Sequence, residues 1–366
     1  MKVLFVSKLE GHKWQGPTHS VPMQIKHQSA VDEVLWVNLC PSIELQWKEL
    51  PYYMESEKGL KTRLSDLPAD FQSPDIVVFE GVYEYPFAGL VYDLWKQKIP
   101  YVAVPRSALT ADAQKKKPLK KLLGNIAFFN AFMGKAAAIQ YLTAAERNDS
   151  AKWKTASFIV PNGMLPKERT KQTFSEEGLI FSYIGRIEQY QKGLDLLIEA
   201  CAQIPEELRN AHVAIHLYGP DREGSFAQLR EELARYSLED IIFIHDGVFG
   251  EEKERVQLES DAFIMTSRFE GLPMGMIEAL AYGLPALATA GTNLADEICQ
   301  SEAGWVSDNS VKGIVQMLRA AIADRDRYPE KSQNALRLST QYNWQTIAEK
   351  THEEFEKIIN RGKGWD

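Results

Sequence analysis

The chain contains few cysteines and no long apolar segment. Its three cysteines, Cys40, Cys201 and Cys299, lie far apart and lack the spacing of metal ligands. Such a pattern is typical of a reducing compartment. No stretch reaches the roughly 20 apolar residues that a membrane-spanning helix needs, and Met1 to Ser7 is too short an apolar run for a signal peptide. These absences predict a cytoplasmic protein.

The signatures of two further protein classes are also missing. No GxGxxG sequence is present, so a dinucleotide site is not expected. The net charge of −8 argues against a nucleic-acid partner. This charge is uneven, because residues 1–164 carry a net +4 and residues 165–366 a net −12. A positive first half favours an anionic surface or an anionic substrate.

Strand-like and helix-like patterns alternate through both halves of the chain, and this alternation predicts an α/β fold. With 366 residues the chain is long enough for two domains with separate cores. The first opens with the strand-like run Lys2 to Ser7 and the second with Leu179 to Ile184. In doubly wound domains of this kind, ligands bind beyond the carboxyl ends of the strands.

The stretch that best indicates a function covers residues 267–285. It follows a predicted strand, contains a loop with two glycines and a proline, and continues into a helix from Gly275. Free N–H groups and the helix dipole make a helix N-terminus suitable for an anion such as phosphate. Glu270 and Glu278 lie beside this helix N-terminus. Carboxylates accept hydrogen bonds from neutral hydroxyls and do not bind phosphate. Together these features suggest a nucleotide-sugar.

This stretch resembles the signature of the retaining glycosyltransferases of family four, in which two glutamates enclose seven residues within EGLPxxxxEAxAxGxP. The similarity runs from Glu270 to Pro285 nearly letter for letter. The alternative interpretation of this stretch is a surface loop with a helix-capping glutamate, but it explains neither the paired glutamates nor the glycines. The resemblance implies the GT-B fold, with two Rossmann-like doubly wound domains facing each other across a cleft.

The resemblance also implies domain boundaries. Val160-Pro161-Asn162-Gly163 is similar to the phrase that closes the first domain in this family. We therefore expect an acceptor-side domain at residues 1–165 and a nucleotide-sugar-binding domain at residues 166–343, entered through a polar linker. Residues 344–366 are expected to form a helix that crosses back towards the first domain.

The candidate catalytic residues are Glu270, Arg186 and Lys192. The last two lie in a phrase that resembles the family's GRxxxxKG. A departing nucleoside diphosphate gains negative charge, which fixed cations can stabilise. For Arg186 or Lys192 taken alone, the alternative interpretation is an ordinary surface cation that flanks a turn. The resemblance implies that Glu270 holds the hydroxyls of the donor sugar and that Glu278 holds the ribose.

The remaining candidates divide between donor and acceptor. The candidate donor-binding residues, all in glycine-containing loops or at the helix start, are Gly16, Gly185, Gly247, Val248, Gly271, Leu272, Pro273, Met274, Gly275, Glu278 and Thr292. The candidate acceptor-binding residues are Glu80, Arg106, His12 and His19. An alternative interpretation fits His12 and His19 equally well, namely that both are solvent-exposed loop residues without a role in binding.

The family's usual histidine after the strand at residues 101–104 is absent. Pro105-Arg106-Ser107 instead resembles a branch of the family with a Pro-Arg-Gly-like turn and a lysine-rich helix, common among enzymes of capsular, O-antigen and exopolysaccharide assembly. The lysines from Lys115 to Lys121 and the aromatic residues that follow leave two alternatives open. The segment lies on an anionic membrane, or it presents a solvated lysine face above an aromatic core stripe.

The function that the resemblance implies is metal-independent transfer of a sugar, with retention of configuration and without a cofactor. The donor is a nucleoside-diphosphate sugar and the acceptor a glycan or a lipid-linked glycan, in the cytoplasm or at the inner face of the membrane. The alternatives are a nucleotide-sugar epimerase or hydrolase of the same fold, or a non-catalytic partner protein that binds nucleotide-sugar.

Overall fold

The computed structural model of the protein describes residues 1–12, 16–115, 118–150, 153–221 and 224–362. The chain divides into two compact units. Unit 1 consists of residues 1–163 together with 344–366, and unit 2 consists of residues 164–343. Each unit is described separately below.

Unit 1 contains, within its described residues, a seven-stranded parallel sheet. Its strands are β1 (Lys2–Ser7), β2 (Glu33–Asn38), β3 (Tyr53–Glu55), β4 (Ile76–Glu80), β5 (Tyr101–Val104), β6 (Ala138–Tyr141) and β7 (Ser157–Ile159). The order across the sheet is β3-β2-β1-β4-β5-β6-β7. The central strands are buried runs of apolar residues, as expected for a parallel sheet that is covered on both faces.

Helices cover both faces of this sheet. In chain order they are α1 (Gly16–Gln28), α2 (Gly89–Gln97), α3 (Ala111–Lys115), α4 (Pro118–Gly124), a π-helical turn (Asn125–Phe129), α5 (Asn130–Lys135) and α6 (Ala144–Asp149). Alternate residues of β1 enter two different cores, with Leu4 and Val6 in one and Val3 and Phe5 in the other. The second core also holds Trp344 from the last helix of the chain.

Unit 2 contains, in the part of the chain that the structure describes, a six-stranded parallel sheet. Its strands are β8 (Leu179–Ile184), β9 (Val213–Tyr218), β10 (Ile242–His245), β11 (Ala262–Met265), β12 (Ala286–Thr289) and β13 (Gly304–Ser307). The order is β10-β9-β8-β11-β12-β13.

The helices of unit 2 alternate with these strands. They are α7 (Leu194–Gln203), α8 (Pro205–Asn210), α9 (Ser225–Tyr236), α10 (Gly250–Glu259), α11 (Met274–Ala281), α12 (Ala295–Gln300), α13 (Val311–Ala323) and α14 (Tyr328–Ser339). The final helix of the chain, α15 (Trp344–Gly362), packs beside α1 in unit 1. Among the described residues, no helix combines the length and the hydropathy required to cross a lipid bilayer.

Both sheets have the strand order of a Rossmann-like doubly wound domain. In each, the third, second and first strands precede the fourth, fifth and sixth across the sheet. The order reverses between β1 and β4 in unit 1 and between β8 and β11 in unit 2. Ligands of such sheets bind beyond the carboxyl ends of the two strands at the reversal. The loops after β8 and β11 therefore lie where a ligand of unit 2 is expected.

Several elements differ from the sequence-based expectation. Residues 41–73, which have no clear pattern, contain the short strand β3 and four single turns of 3₁₀ helix. The expected polar linker after residue 165 instead packs on unit 2, where Lys171 is buried and its backbone N–H donates to the carbonyl of Tyr282. The sequence predicts a helix from Phe87 to Lys96, but α2 begins at Gly89, because Phe87 adopts a left-handed backbone with φ of 55°.

Candidate functional site

Two loops of unit 2 bring the candidate catalytic residues together. The loop after β8 carries Arg186 and Lys192, and the loop after β11 carries Glu270. These strands are neighbours in the sheet and flank the point where the strand order reverses. Lys192 and Glu270 are 78 positions apart in the sequence. They nevertheless meet, because two parallel strands that end at the same sheet edge place their loops side by side.

The two loops are joined by backbone contacts. The N–H of Arg268 donates to the carbonyl of Gln191 at 2.9 Å, and the hydroxyl of Thr266 donates to the carbonyl of Gly193 at 2.9 Å. Gly193 has φ of +61°, and a Cβ there would lie less than 3.0 Å from the carbonyl oxygen of Thr266. Only glycine fits this conformation and this distance. Its neighbour Lys192 is thereby held against the loop that follows β11.

The Lys192 ammonium and the Glu270 carboxylate form an ion pair. Their Nζ and Oε1 atoms are 2.6 Å apart, and each side chain is 9% exposed. The Ser267 hydroxyl donates to the same Oε1 at 2.6 Å. A carboxylate oxygen offers two lone pairs, and Oε2 adds two more, so Glu270 can still accept hydrogen bonds from a ligand. An ammonium and a hydroxyl-accepting carboxylate thus lie side by side at the sheet edge.

Arg186 is positioned differently from Lys192. Its side chain is 46% exposed, and it pairs only loosely with Glu188, at a nitrogen-to-oxygen distance of 4.0 Å. Its carbonyl accepts from the hydroxyl of Tyr183 at 2.9 Å, which fixes the backbone. Burial, followed by the Glu270 charge, raises the pKa of Tyr183 well above its usual value, so this hydroxyl stays protonated and donating. The backbone is held while the guanidinium is accessible to a ligand.

Close backbone packing surrounds these residues. A Cβ at Gly219 would lie less than 3.0 Å from the carbonyl of Gly185, so the loops after β8 and β9 touch. Gly275, in the first turn of α11, packs closely against the carbonyl of Ile184 at the end of β8. Gly271, Leu272 and Met274 around the start of this helix are exposed or half-buried, whereas Pro273 is buried. The N-terminus of α11 therefore faces the edge where Lys192 and Glu270 lie.

Glu278 lies one turn further along α11 and forms ion pairs with two lysines. Lys167 Nζ lies 2.9 Å from Oε1, and Lys253 from α10 pairs with Oε2. The side chain of Glu278 is 14% exposed. Burial alone would raise the pKa of Glu278, but Lys253 and then Lys167 lower it below its usual value. A carboxylate that stays charged and keeps free lone pairs can accept from hydroxyls.

Two other candidate donor residues lie near the neighbouring loop. Gly247 and Val248 follow β10, and Val248 is buried while Gly247 is half-buried. Neither of their N–H groups donates to another residue that the structure describes. The exposed ring of Phe249 lies beside Gly247, 3.5 Å from where a Cβ would be. Backbone groups beside an exposed ring are a suitable surface for a nucleobase.

The side chain of Thr292 forms a hydrogen bond within unit 2. It is fully buried, and its hydroxyl donates to the carbonyl of Thr289 at 2.8 Å, which stabilises a turn of 3₁₀ helix. A contact of Thr292 with the donor stays a prediction and would involve its backbone. The adjacent Asn293, in a left-handed conformation, donates to the carbonyls of Glu270 and Gly271. It is this residue that links the loop after β12 to the loop that carries Glu270.

Several residues that position the site were not found by the sequence patterns. They are Lys167, Lys253 and Asn309. Asn309 donates to the carbonyl of Ser267 at 2.8 Å and accepts from the N–H of Gly291. Most of them act across many residues of sequence, so no local spacing identifies them. The only sequence feature that pointed to Lys167 was its position in a segment predicted to be a polar linker.

In unit 1, the candidate acceptor residues Glu80 and Arg106 form a buried ion pair. Glu80 ends β4 and Arg106 follows β5; their side chains are 1% and 10% exposed. Arg106 Nε and Nη2 each lie 2.8 Å from Glu80 Oε2. The other donors of the guanidinium reach Ser20, Gln24 and Asn162 at 3.0–3.2 Å.

Four hydrogen bonds and the ion pair with Glu80 thus hold the Arg106 guanidinium within unit 1. The pair joins α1, two strand ends and the turn at Asn162. A contact of Arg106 with an acceptor stays a prediction. Arg106 and Ser107 both have positive φ, and the Ser107 N–H donates to Glu146 at 2.5 Å, which stabilises this unusual turn.

The remaining candidates of unit 1 lie around the loop after β1. Gly16 is exposed at the first position of α1, with open space where a Cβ would be. His12 is half-buried, and its Nε2 lies 2.9 Å from Glu10 Oε2. His19 is exposed on α1. These residues follow the strand β1, which lies beside β4 and its terminal Glu80.

Comparison with known proteins identifies the class of unit 2. Residues 165–337 match the family model described as Glycosyl transferases group 1, so unit 2 is a glycosyltransferase domain of that group. Over 137 residues the chain is 28% identical to the putative colanic acid biosynthesis glycosyltransferase WcaL of Escherichia coli K12, covering 36% of this chain and 33% of that protein. Over 204 residues it is 24% identical to a protein of Homo sapiens named as one subunit of phosphatidylinositol N-acetylglucosaminyltransferase, covering 55% and 41%. The matches span less than half of each relative.

Similarity to a solved structure extends over nearly the whole chain. Anabaena Alr3699/HepE in complex with UDP has a TM-score of 0.73 and 14% identity, with 98% of this chain and 100% of that chain covered. Together with the two sheets of Rossmann-like strand order, this similarity confirms the predicted α/β fold of the GT-B class.

The buried pair in unit 1 leads to a prediction about stability. Replacing Arg106 with Met leaves the Glu80 charge buried without compensation, so the free energy of unfolding of unit 1 should fall by about 3–5 kcal/mol. Adding Glu80→Gln should restore part of this loss. Urea unfolding followed by tryptophan fluorescence reports unit 1, since Trp305 is the one tryptophan between residues 164 and 343. A single variant as stable as the wild type would contradict this assignment.

The Glu278 cluster leads to a prediction about pH. Because the folded pKa of Glu278 is depressed, its pairing stabilises unit 2 above the unfolded value of about 4.3 and this contribution is lost as pH falls through the folded pKa. The variant Lys167→Met/Lys253→Met should lose about 1–3 kcal/mol at pH 7, and its deficit should shrink in acid. Circular dichroism in urea at several pH values measures this. Lys312→Met, an exposed lysine of unit 2, is the control. A deficit independent of pH would show that the lysines act through packing alone.

Proposed function

We propose that the protein is a retaining glycosyltransferase that moves a sugar from a nucleoside-diphosphate sugar to a glycan or lipid-linked acceptor in the synthesis of a surface polysaccharide or glycoconjugate. The observation that carries the proposal is the 2.6 Å pair of Lys192 and Glu270 at the strand reversal of unit 2, beside the N-terminus of α11. The group 1 family match covers this region, and WcaL is named for colanic acid biosynthesis.

The pairing of opposite charges suits the bond that a glycosyltransferase breaks. On one side of that bond is a sugar ring with hydroxyl groups, which can donate hydrogen bonds to a carboxylate such as Glu270. On the other side is a diphosphate, which an ammonium such as Lys192 can neutralise. The bond between ring and phosphate would thus lie across the two side chains.

The rest of the donor follows from the surrounding groups. The N-terminus of α11 would receive the diphosphate, and the charged Glu278 would accept from the ribose hydroxyls. The backbone at Gly247 and Val248, beside the ring of Phe249, would receive the base. Alr3699/HepE was crystallised with UDP, which makes UDP-sugars the first donors to test. Gly16 of unit 1 is the proposed residue that approaches the donor phosphate from the loop after β1.

The proposed chemical step needs no protein nucleophile. Arg186, accessible on a fixed backbone, would turn towards the diphosphate and share its growing charge with Lys192. The leaving phosphate itself would take the acceptor's proton on the same face of the sugar. Retention of configuration and independence of a metal are parts of the proposal that come from the family resemblance.

The acceptor side is proposed from unit 1. Glu80, whose buried Oε1 has no hydrogen-bond partner among the described residues, and Arg106, His12 and His19 are the proposed contacts of the acceptor hydroxyls. A lipid-linked acceptor would bring the protein to the cytoplasmic face of a membrane. The human relative is named for transfer of N-acetylglucosamine to phosphatidylinositol, so a lipid acceptor has a precedent among the similar proteins.

Three substitutions test the catalytic assignment. Glu270→Ala, Arg186→Ala and Lys192→Ala should each lower turnover about 100-fold or more, because each removes a group that stabilises the departing diphosphate or orients the sugar. The assay follows nucleoside diphosphate released in the presence of acceptor. Arg255→Ala, which removes an exposed arginine of α10, should leave turnover unchanged. Near-normal turnover in all three variants, with unchanged melting temperatures, would reject the proposal.

The donor can be identified by thermal shift. A ligand that binds only the folded protein stabilises it by about 2.7 kcal/mol at a concentration of 100 times its Kd. We expect one of the UDP-, GDP- or ADP-sugars to raise the melting temperature clearly more than the others. The shift should be reduced in Glu278→Ala and retained in Arg255→Ala. A donor consumed without acceptor and converted to an epimer would indicate the alternative activity.

A further inference from the structure

We propose that Tyr190 and Phe269 of unit 2 form an aromatic platform that binds a neutral pyranose ring of the acceptor glycan. The inference rests on the proposed function, because it presumes that a glycan receives the transferred sugar. It concerns unit 2 alone. The lysine-rich segment of unit 1 takes no part in it, and Lys116 and Lys117 of that segment lie outside the described residues.

Exposed aromatic rings of unit 2 collect at one edge of its sheet. Among the described residues of this unit, the exposed large hydrophobic side chains are Leu165, Tyr190, Tyr236, Phe249 and Phe269. Tyr190, Phe249 and Phe269 follow β8, β10 and β11, at the carboxyl edge where a ligand is expected. Tyr190 is 67% exposed and Phe269 is 51% exposed. Exposed hydrophobic side chains that are grouped in this way indicate a binding surface.

Both rings of the platform lie next to the ion pair that would flank the breaking bond. Tyr190 precedes Lys192 by two residues, and Phe269 directly precedes Glu270. Two residues of chain span at most about 7 Å, so the backbone of each ring lies within that distance of one member of the pair. A sugar ring bound to the platform would therefore have a hydroxyl group near the carbon atom to which it is to be joined.

Arg268 holds the ring of Tyr190 in place. Its guanidinium lies over the ring, 4.4 Å from the centroid, and donates to the carbonyl of Tyr190 at 2.8 Å. The same guanidinium forms two hydrogen bonds with Asp195, at 2.6 and 2.7 Å. One face of the ring is thus covered by a fixed cation, which restricts its motion. The open face is already positioned, so binding there costs little conformational entropy.

Hydrogen bonds also join the backbones beside the two rings. The N–H of Arg268 donates to the carbonyl of Gln191 at 2.9 Å, and the Gln191 amide donates to the carbonyl of Phe269 at 3.4 Å. The loops that carry the platform are therefore linked on either side of it. The bond from the Gln191 amide is long and hence weak, so this group can turn to a ligand hydroxyl at small cost.

A pyranose ring has the chemistry that this surface can recognise. One face of many pyranoses presents mainly C–H groups, while the hydroxyls project from the rim. The C–H face packs on an aromatic ring, and nearby polar groups bind the hydroxyls. The loop of Tyr190 supplies such groups in the Gln191 amide and in the carboxylate of Glu188, which lies 4.0 Å from its only listed cation, Arg186.

The charge of this surface favours a neutral ligand. Residues 186–195 and 268–270 together contain three cationic and three acidic side chains, so their charges cancel. The nucleobase of the donor has a separate proposed place beside Phe249, on the loop after β10, which β9 separates from the loop after β8. The remaining competitor for the platform is the sugar of the donor itself.

Saturation-transfer difference NMR tests the inference without turnover. The probes are the methyl α-glycosides of glucose, galactose, mannose and N-acetylglucosamine, each added to the full-length protein. We expect transfer to the ring C–H protons of at least one probe. Tyr190→Ala and Phe269→Ala should each raise the apparent Kd of that probe about tenfold, because each removes an aromatic contact. Tyr190→Phe keeps the ring and should bind like the wild type.

Tyr236→Ala is the matched control. Tyr236 is 37% exposed in the same unit, and the Arg235 guanidinium lies 5.5 Å from its ring centroid. It ends α9, which leads into β10, so it lies at the opposite edge of the sheet. This variant should bind the probe like the wild type. All variants should keep the wild-type melting temperature by circular dichroism, since the replaced rings are exposed.

Glu270→Ala separates the acceptor from the sugar of the donor. Glu270 is proposed to hold the donor sugar, so binding of the glycoside probe should persist when its carboxylate is removed. A probe that is lost from Glu270→Ala and from Tyr190→Ala alike would assign the platform to the donor sugar and overturn the inference.

Two further results would also overturn it. One is the absence of saturation transfer from the wild type to any of the four glycosides. The other is an unchanged Kd in both Tyr190→Ala and Phe269→Ala. Neither result touches the proposed transfer reaction, which is decided by nucleoside diphosphate release in the Glu270, Arg186 and Lys192 variants. Conversely, near-normal release in those variants would reject the reaction even where the glycosides bind to the platform.

Discussion

The arrangement of unit 2 depends on one close approach between two backbones. A Cβ at position 193 would lie less than 3.0 Å from the carbonyl oxygen of Thr266, so glycine alone fits there. This contact brings the end of the loop after β8 against the loop after β11, and the ion pair of Lys192 with Glu270 follows from it. Groups held in this way need little reorganisation when a charged ligand arrives, which is the condition under which electrostatic stabilisation is most effective. The glycine therefore matters to the site although it carries no functional group.

Much of the scaffold could be predicted from the sequence because central strands such as β1, β4, β11 and β12 are buried on both faces. The strands β1 and β8 have the bounds that were predicted for the opening strand of each domain, Lys2 to Ser7 and Leu179 to Ile184. The short strands β3 and β13 were missed, because Tyr53–Glu55 has three residues and Gly304–Ser307 contains two apolar residues between a glycine and a serine. Helices α12 and α14 were missed as well, and each begins without a side-chain cap. Burial within a sheet is encoded locally in the sequence, whereas short peripheral elements are fixed by their neighbours.

The candidate site was predictable only in part, for a related reason. The spacing of Arg186 and Lys192 places them on the loop after β8, and that of Glu270 and Glu278 places them on the loop and the helix after β11, which the parallel sheet brings together. Their partners could not be found in this way. Lys167 reaches Glu278 across 111 residues of sequence. Polar partners at such separations are determined by tertiary packing, and the sequence pattern of either partner is that of an ordinary surface residue.

The four hydrogen bonds of the Arg106 guanidinium limit which substitutions unit 1 can accommodate. This guanidinium links four segments that are distant in the chain, namely α1, the end of β4, the turn after β5 and the turn at Asn162. A lysine offers three donors from a single nitrogen and cannot reproduce a planar fork of five. Replacing Arg106 by lysine would therefore loosen the contacts of α1, of two strand ends and of the turn at Asn162 in a single step.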